Sequence, residues 1–188
     1  LLPLLTANFA TSPDGTNNAS RLVLNIGSGT TSSDISELFI NVGNSAGVVD
    51  SRSIFMKSNT ADTYNVFFST GLVIAVTPNA WVRAETTLTG VSERYRVMLR
   101  GNLATSKFAD ISIFGAQVEQ AANASSYIPT NGASTTRNAD VITVSPPTGT
   151  VKITTTFSNN TTQVITTIPA TFTMPEGLIK QVLMQSSL

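Results

Sequence analysis

The chain has 188 residues, of which 11 are Lys or Arg and 11 are Asp or Glu, and it contains neither His nor Cys. The missing Cys excludes disulfides and thiolate chemistry, and the missing His excludes Ser-His-Asp catalysis and imidazole metal sites. A net charge of zero lacks the electrostatic footprint of nucleic-acid or acidic-membrane binding, so we expect neither partner.

Small polar residues dominate the rest of the composition, with 28 Thr, 21 Ser and 15 Asn. Only 12% of the residues are charged, against about a quarter in an average globular protein. A surface of hydroxyl and amide side chains sets up little long-range repulsion between neighbouring copies. The composition therefore favours a subunit of an assembly.

The apolar start of the chain, Leu1 to Leu5, contains Pro3 and is too short to span a membrane. It also lacks the basic flank of a signal peptide. Because the chain does not begin with Met, we expect residues upstream of Leu1.

Short apolar or alternating runs, typical of β-strands, follow one another through the first 120 residues with a turn signal every 8 to 12. No helical pattern is long enough for a βαβ crossover, and the only helix we expect is a short one near residues 34–38. This order predicts an all-β fold, an antiparallel β-sandwich or jelly roll. The predicted strands are 21–26, 37–42, 53–57, 64–68, 72–76, 81–88, 94–100 and 111–114.

A change in composition near Asp140 divides the chain into a first domain, 1–140, and a small Thr-rich β module, 141–188, that has only three charged residues. Such a module buries too little surface to be secure alone, so we expect it to pack on the first domain, on a symmetry mate or on another protein. We expect its four strands to form one sheet. Its predicted strands are 151–157, 163–168, 171–174 and 178–184.

The most specific motif consists of Phe114-Gly-Ala-Gln-Val-Glu-Gln120, Ser126-Tyr-Ile-Pro-Thr-Asn-Gly132 and Thr136-Arg-Asn-Ala-Asp140. It resembles a motif of bacteriophage virion proteins, found in tail fibres, tailspikes and head fibres, whose fold is a carbohydrate-binding-module-like, concanavalin-type jelly roll. Phe55-x-Lys57 and Trp81-Val-Arg83 resemble further parts of that pattern. The resemblance covers roughly residues 8 to 144, and the module from Val141 resembles the short β module that ends some of these proteins.

The resemblance implies a non-enzymatic structural component of the virion surface: a fibre, spike or capsid decoration subunit with weak glycan adhesion. Its partners would be other virion proteins and further copies of itself, with a trimer favoured. The alternative is a dedicated carbohydrate-binding module that recognises a host-surface glycan. A third hypothesis is a fragment of a polysaccharide depolymerase tailspike.

The motif also has a direct physical interpretation. Pro129 forces Ile128 out of the helical region, so Tyr127 to Thr130 is expected to be extended. Tyr127 and Ile128 can then pin this segment across a sandwich face, with the Tyr hydroxyl bonded to backbone. Arg137 and Asp140 are expected to pair with each other or with local backbone.

Three aromatic residues are candidates for stacking on a sugar ring: Trp81, Tyr64 and Tyr95. Trp81 is the only Trp, and the two Tyr residues stand at the starts of predicted strands. The competing interpretation makes each of them a packed side chain of the core or its edge.

Carboxylate pairs are the remaining candidates for catalysis, because a chain without His can still use two of them. Glu85 and Glu93 are expected to face each other on a hairpin across Gly90. The other nearby pairs are Asp34 with Glu37 and Glu119 with Asp140. Each pair has a basic residue close by in sequence, so we expect surface ion pairs and assign no catalytic residue.

A structural calcium ion is the only cofactor we consider. Asp14 and Asn17 lie in a loop that offers oxygen ligands, but the loop lacks the acid density of an EF-hand.

Overall fold

The computed structural model describes residues 2–43, 47–90, 93–130, 143–157, 160–174 and 179–186, and over these residues the fold is all-β with antiparallel sheets and no helix. The predicted all-β class with antiparallel sheets is therefore confirmed, and it is consistent with a β-sandwich. The chain divides into two compact units, Leu1–Ala133 and Ser134–Leu188, a division that falls before the expected boundary at residue 140.

The first unit consists of two antiparallel sheets. Sheet I has five strands in the order β1-β2-β9-β4-β7, and sheet II has four in the order β3-β8-β5-β6. The strands are β1 (Leu4–Ala10), β2 (Ala19–Asn25), β3 (Ile35–Val42), β4 (Val49–Ser58), β5 (Tyr64–Phe68), β6 (Leu72–Val76), β7 (Val82–Thr89), β8 (Glu93–Arg100) and β9 (Phe108–Glu119).

The core of this unit lies between the two sheets, because alternate residues of each strand turn inward. In β2 the inward residues Leu22 and Leu24 are fully buried while their neighbours are not. One continuous apolar cluster joins both sheets. Its fully or almost fully buried members include Leu22, Leu24, Ile54, Met56 and Ile111 from sheet I, and Val66, Phe68, Val76, Val97 and Leu99 from sheet II.

One buried ion pair interrupts this apolar core. Asp50 and Arg52 lie on the inward side of β4, and Arg52 is fully buried. Arg52 Nε and Nη2 donate to the two carboxylate oxygens of Asp50 at 3.1 Å each, and Arg52 Nη1 donates to Ser69 Oγ at 3.2 Å. The two charges thereby satisfy each other in a bidentate geometry, which is the arrangement a buried pair requires.

A bulge in β9 bends sheet I beside this pair. The pairing of β4 with β9 shifts between Ser53, opposite Gln117, and Phe55, opposite Phe114. The part of β9 that holds the extra residue includes Gly115, whose φ of +63° lies in the left-handed region that favours glycine.

Two local expectations are wrong. Residues 34–38 do not form a helix, since β3 pairs with β8 from Ile35 to Val42. Glu85 and Glu93 do not lie on one hairpin, because β7 pairs with β4 in sheet I while β8 pairs with β3 and β5 in sheet II. The chain therefore crosses from one sheet to the other between them. β1, one of the two edge strands of sheet I, was not predicted from the sequence.

Among its described residues the second unit has five strands, whereas four were expected. β11 lies between β12 and β14 in a three-stranded antiparallel sheet, and β10 pairs with β13 separately. The turn between β11 and β12 includes Asn160, whose φ is +64°, while Asn159 lies outside the described residues. The strands are β10 (Thr143–Val144), β11 (Thr150–Phe157), β12 (Thr162–Ile165), β13 (Phe172–Thr173) and β14 (Ile179–Ser186).

Candidate functional site

The two candidate tyrosines are core residues. Tyr64 is 7% exposed, shares a hydrogen bond of 2.8 Å with Thr60 Oγ1 and meets Phe108 edge-on. Tyr95 is 6% exposed, and its hydroxyl donates to the carbonyl of Ser53 at 2.7 Å. Burial raises the pKa of this phenol. The glycan-stacking prediction is corrected for both residues, because neither ring presents a face to solvent.

Trp81 occupies a different place from the tyrosines. It immediately precedes β7 of sheet I and is half-buried, whereas Tyr64 and Tyr95 belong to sheet II and point into the core. The structure therefore does not gather the three aromatic residues into one groove. Stacking on Trp81 stays a prediction.

The loop proposed for calcium is organised by internal hydrogen bonds. Asp14 Oδ1 accepts bonds from Ser12 Oγ at 2.6 Å, and from the backbone and hydroxyl of Thr16 at 2.9 and 2.7 Å. The bond from Ser12 and those from Thr16 hold the pKa of Asp14 well below its usual range. Asn17 donates its amide to the carbonyl of Asn8 at 3.3 Å.

These residues do not fit a calcium ion. Within the described part of the chain, no group of three or more acidic side chains lies close enough to hold a metal. Calcium requires six to eight oxygen ligands, and the carboxylate of Asp14 already serves the Ser12 and Thr16 donors.

The described carboxylates of the predicted pairs contact cations or local donors. Glu85 lies 2.8 Å from Arg83, and Glu37 lies 2.7 Å from Arg94. Asp34 accepts bonds of 2.7 Å from the backbone and hydroxyl of Thr31. These contacts agree with the structural interpretation of the pairs. Of the other predicted partners, the Glu93 side chain, Arg137 and Asp140 lie outside what the structure describes.

Residues 120–130, the covering segment, lie against the outer side of sheet I. The ring of Tyr127 packs on Phe114 with centroids 4.8 Å apart and sits over Gly115, where a Cβ would come within 3.0 Å of it. The backbone of Ile128 donates to Gln117 Oε1 at 2.7 Å. The prediction that Tyr127 and Ile128 hold this segment on a sandwich face is therefore confirmed; no backbone partner of the Tyr127 hydroxyl is found among the described residues.

Charged side chains reinforce this covering. Arg83 donates to Ser53 Oγ at 3.1 Å and to the carbonyl of Ser125 in the covering segment. Glu119 accepts the backbone N–H of Ser125 at 2.9 Å. Burial raises the pKa of Glu119, but the bonds from Ser125 and Gln117 outweigh it, so the net direction is downward. Arg83 and Glu119 thus fix the segment from two sides.

The outer side of sheet II carries a cluster that the sequence analysis missed. Arg94, Arg96 and Arg100 lie on the outer side of β8, opposite the buried Tyr95, Val97 and Leu99, and the buried Met98 lies between Arg96 and Arg100 on that same side. Glu37 and Phe39 of the adjacent β3 lie on the same side, because Phe39 is directly opposite Arg96. We call Glu37, Phe39, Arg94, Arg96 and Arg100 the arginine face. Its sequence signal is the placement of Arg94, Arg96 and Arg100 out of phase with Tyr95, Val97 and Leu99.

Each guanidinium of the arginine face is held in a defined position. Arg94 stacks on the ring of Phe39, with 4.1 Å between the guanidinium carbon and the ring centroid, and lies 2.7 Å from Glu37. Arg96 lies over Phe67, and its Nε donates to the carbonyl of Ser69 at 3.0 Å. Arg100 Nε donates to the carbonyl of Ser32 at 2.9 Å. Arg94 and Phe39 remain 44% exposed.

No protein-family model matches this sequence, and no relative is found among curated proteins. Among the residues that the structure describes, no helix has the length and apolar character needed to cross a bilayer.

Proposed function

We propose that this chain is a surface component of a bacteriophage virion, a fibre, spike or capsid decoration subunit with a structural role, and that its sandwich is a jelly roll of that family. The observation that carries the proposal is the structural role of the motif that resembles bacteriophage virion proteins. Residues 114–130 close one side of the sandwich through Tyr127, Gln117 and Glu119. A motif used for closure suits a structural part better than a catalytic one.

The second unit supports assembly with other virion proteins or with further copies, a trimer being favoured. Val164, Thr154 and Leu183 lie directly opposite one another across the three strands of its larger sheet. Val164 is 51% and Leu183 is 46% exposed, so an apolar row crosses a sheet whose two outer strands are edges. Burying such a row against a neighbour stabilises an assembly, and the sheet edges can pair with another chain.

The oligomeric state of the purified chain tests this proposal. We expect sedimentation velocity to show a trimer, and the variant Val164→Ser/Leu183→Ser to shift the population toward monomer. The matched control is Val73→Ser/Val118→Ser, which removes apolar side chains of similar exposure, 38% and 41%, from the first unit. A wild-type chain that is monomeric at all concentrations would contradict the assembly argument.

The place of the protein in the particle needs a separate measurement. Antibodies raised against the purified chain should decorate intact phage particles in negative-stain electron microscopy. Labelling only of lysate material, with bare particles, would overturn the assignment to the virion surface.

Glycan recognition is the second candidate function, and the arginine face is the observation that favours it. The original candidates Tyr64 and Tyr95 no longer support it, since both are buried. The third hypothesis, a depolymerase, gains no support from the described carboxylates, which serve Arg83, Arg94, Thr31 and Ser125.

A further inference from the structure

From the arginine face we infer that this protein binds an acidic polysaccharide, a linear sugar polymer bearing carboxylate or sulfate groups, along β8 on the outer side of sheet II. This inference rests on the second candidate function, glycan recognition, and names the ligand class of that site.

The first argument is the local charge. The whole chain is neutral, yet among the described side chains on the outer side of β3 and β8 three arginines, Arg94, Arg96 and Arg100, stand against a single carboxylate, that of Glu37. Glu37 lies 2.7 Å from Arg94 and 4.0 Å from Arg96, while Arg100 donates to a backbone carbonyl. Since three cations meet one anion, the face keeps a local positive charge that suits an anionic ligand.

The second argument is the orientation of the guanidinium groups. The Nε atoms of Arg96 and Arg100 donate to the carbonyls of Ser69 and Ser32, respectively. Arg94 stacks on Phe39. These contacts fix each planar group before a ligand arrives. A preorganised guanidinium loses less conformational entropy on binding and can make the bidentate contact that carboxylates and sulfates accept.

The aromatic rings and the number of cations on this face favour an acidic polymer over other ligands. Phe67 is buried, and Arg94 covers one face of Phe39, so the arginine face offers little ring surface for stacking on a neutral sugar or on a nucleobase. Three cations are also few for nucleic acid, whose affinity grows with the number of phosphates neutralised. Of these ligand classes, the arginine face therefore suits a sugar polymer that is recognised through its charges.

The fourth argument is length. Arg94 and Arg100 are six residues apart on one strand, which corresponds to about 20 Å at the usual rise per residue, and the buried Met98 lies between Arg96 and Arg100 in this row. Exposed amides of Asn41 on β3 and Asn65 on β5 flank this row and suit sugar hydroxyls. A row of this length fits several sugar units of an extended chain better than a single monosaccharide.

The test is a binding titration of the full chain with four immobilised polymers: alginate, dextran sulfate, neutral dextran and oligothymidylate. We expect binding to alginate or dextran sulfate that weakens as salt is added, and the two polymers distinguish a carboxylate ligand from a sulfate ligand. We expect Arg94→Gln/Arg100→Gln to weaken this binding at least tenfold, equivalent to about 1.4 kcal/mol.

The matched control is Lys152→Gln/Lys180→Gln, which removes the same two charges from exposed positions in the second unit and should change the affinity less than about twofold. Arg94→Lys keeps the charge but loses the planar fork, so we expect an intermediate loss. The thermal unfolding midpoint of each variant identifies any that fails to fold.

Three results would overturn the inference: an equal loss in the lysine and arginine variants, tighter binding to oligothymidylate than to either acidic polysaccharide, or dextran binding that the arginine variant leaves unchanged. The last result would still support glycan recognition. Failure to bind any of the three polysaccharides would overturn both the inference and glycan recognition.

Discussion

The two outer sides of the sandwich use their charged residues in opposite ways. On sheet I, Arg83 and Glu119 bind the covering segment, and Arg21 forms an ion pair with Asp110. On sheet II, Arg94 keeps 44% of its side chain exposed while Glu37 and Phe39 hold it in place. The comparison shows that Arg and Glu side chains hold a chain segment on one side and leave an exposed guanidinium on the other.

Of the effects expected on the two outer sides, the largest is on the covered side. Tyr127→Ala removes the ring that packs on Phe114 and over Gly115. Because the ring is half-buried, we expect a loss of about 2 kcal/mol in the free energy of unfolding, less than for a fully buried aromatic. Urea denaturation followed by tryptophan fluorescence measures it. A loss below about 0.5 kcal/mol, typical of a surface substitution, would mean that the segment does not contribute to closure.

The next effect concerns the ion pair on the same side. Asp110 accepts bonds from Arg21 Nε at 2.9 Å and from Asn59 Nδ2 at 2.8 Å. The bond from Arg21 outweighs the effect of burial and holds the pKa of Asp110 below its usual value. We expect Asp110→Asn to cost about 1 kcal/mol at neutral pH, since Arg21 is partly exposed to solvent.

The pH dependence follows from the same shift. Because the pKa of Asp110 is lower in the folded than in the unfolded state, where it is about 3.9, the pair contributes fully above that value and its contribution is lost as the pH falls through the folded pKa. Wild type and Asp110→Asn should therefore differ in thermal midpoint at pH 7 and converge in strong acid. A constant difference across this range would contradict the role of the charge.

The smallest effect is expected on the arginine face. Arg94→Gln removes a guanidinium that is 44% exposed and pairs with Glu37 at the surface. Exposed pairs contribute little, so we expect less than about 0.5 kcal/mol in the same urea titration. A loss as large as that of Tyr127→Ala would show that the arginines of sheet II also serve closure, and the contrast between the two sides would disappear.

Strand content was predictable from the sequence, and strand partners were not. Residues 64–68 and 72–76 are strands with the expected bounds, because alternation and turn residues are local signals. The pairing of β7 with β4 depends on residues about thirty positions apart, such as Arg83 opposite Phe55. No local pattern specifies such a partner, which is why the hairpin of Glu85 and Glu93 was wrong.

The inward orientation of Tyr64 and Tyr95 was already indicated by the alternation of side chains along their strands, a signal that was not used. Tyr64 is in phase with Val66 and Phe68, and Tyr95 is in phase with Val97. Two such residues on an apolar side belong to the core, and by the same alternation Arg94 belongs outside. The chemistry of the arginine face still required the structure, because only the pairing with β3 brings Phe39 and Glu37 beside the arginines.

The buried pair of Asp50 and Arg52 has an evolutionary consequence. Losing one partner leaves an uncompensated charge inside the sandwich and costs about 3–5 kcal/mol, whereas replacing both with apolar residues is often neutral. A single substitution at either position therefore gives an unstable chain, and only a joint replacement of both residues is tolerated. Related sequences are therefore expected to keep both residues or to lack both. Keeping the pair would identify the relatives that share this arrangement of the core.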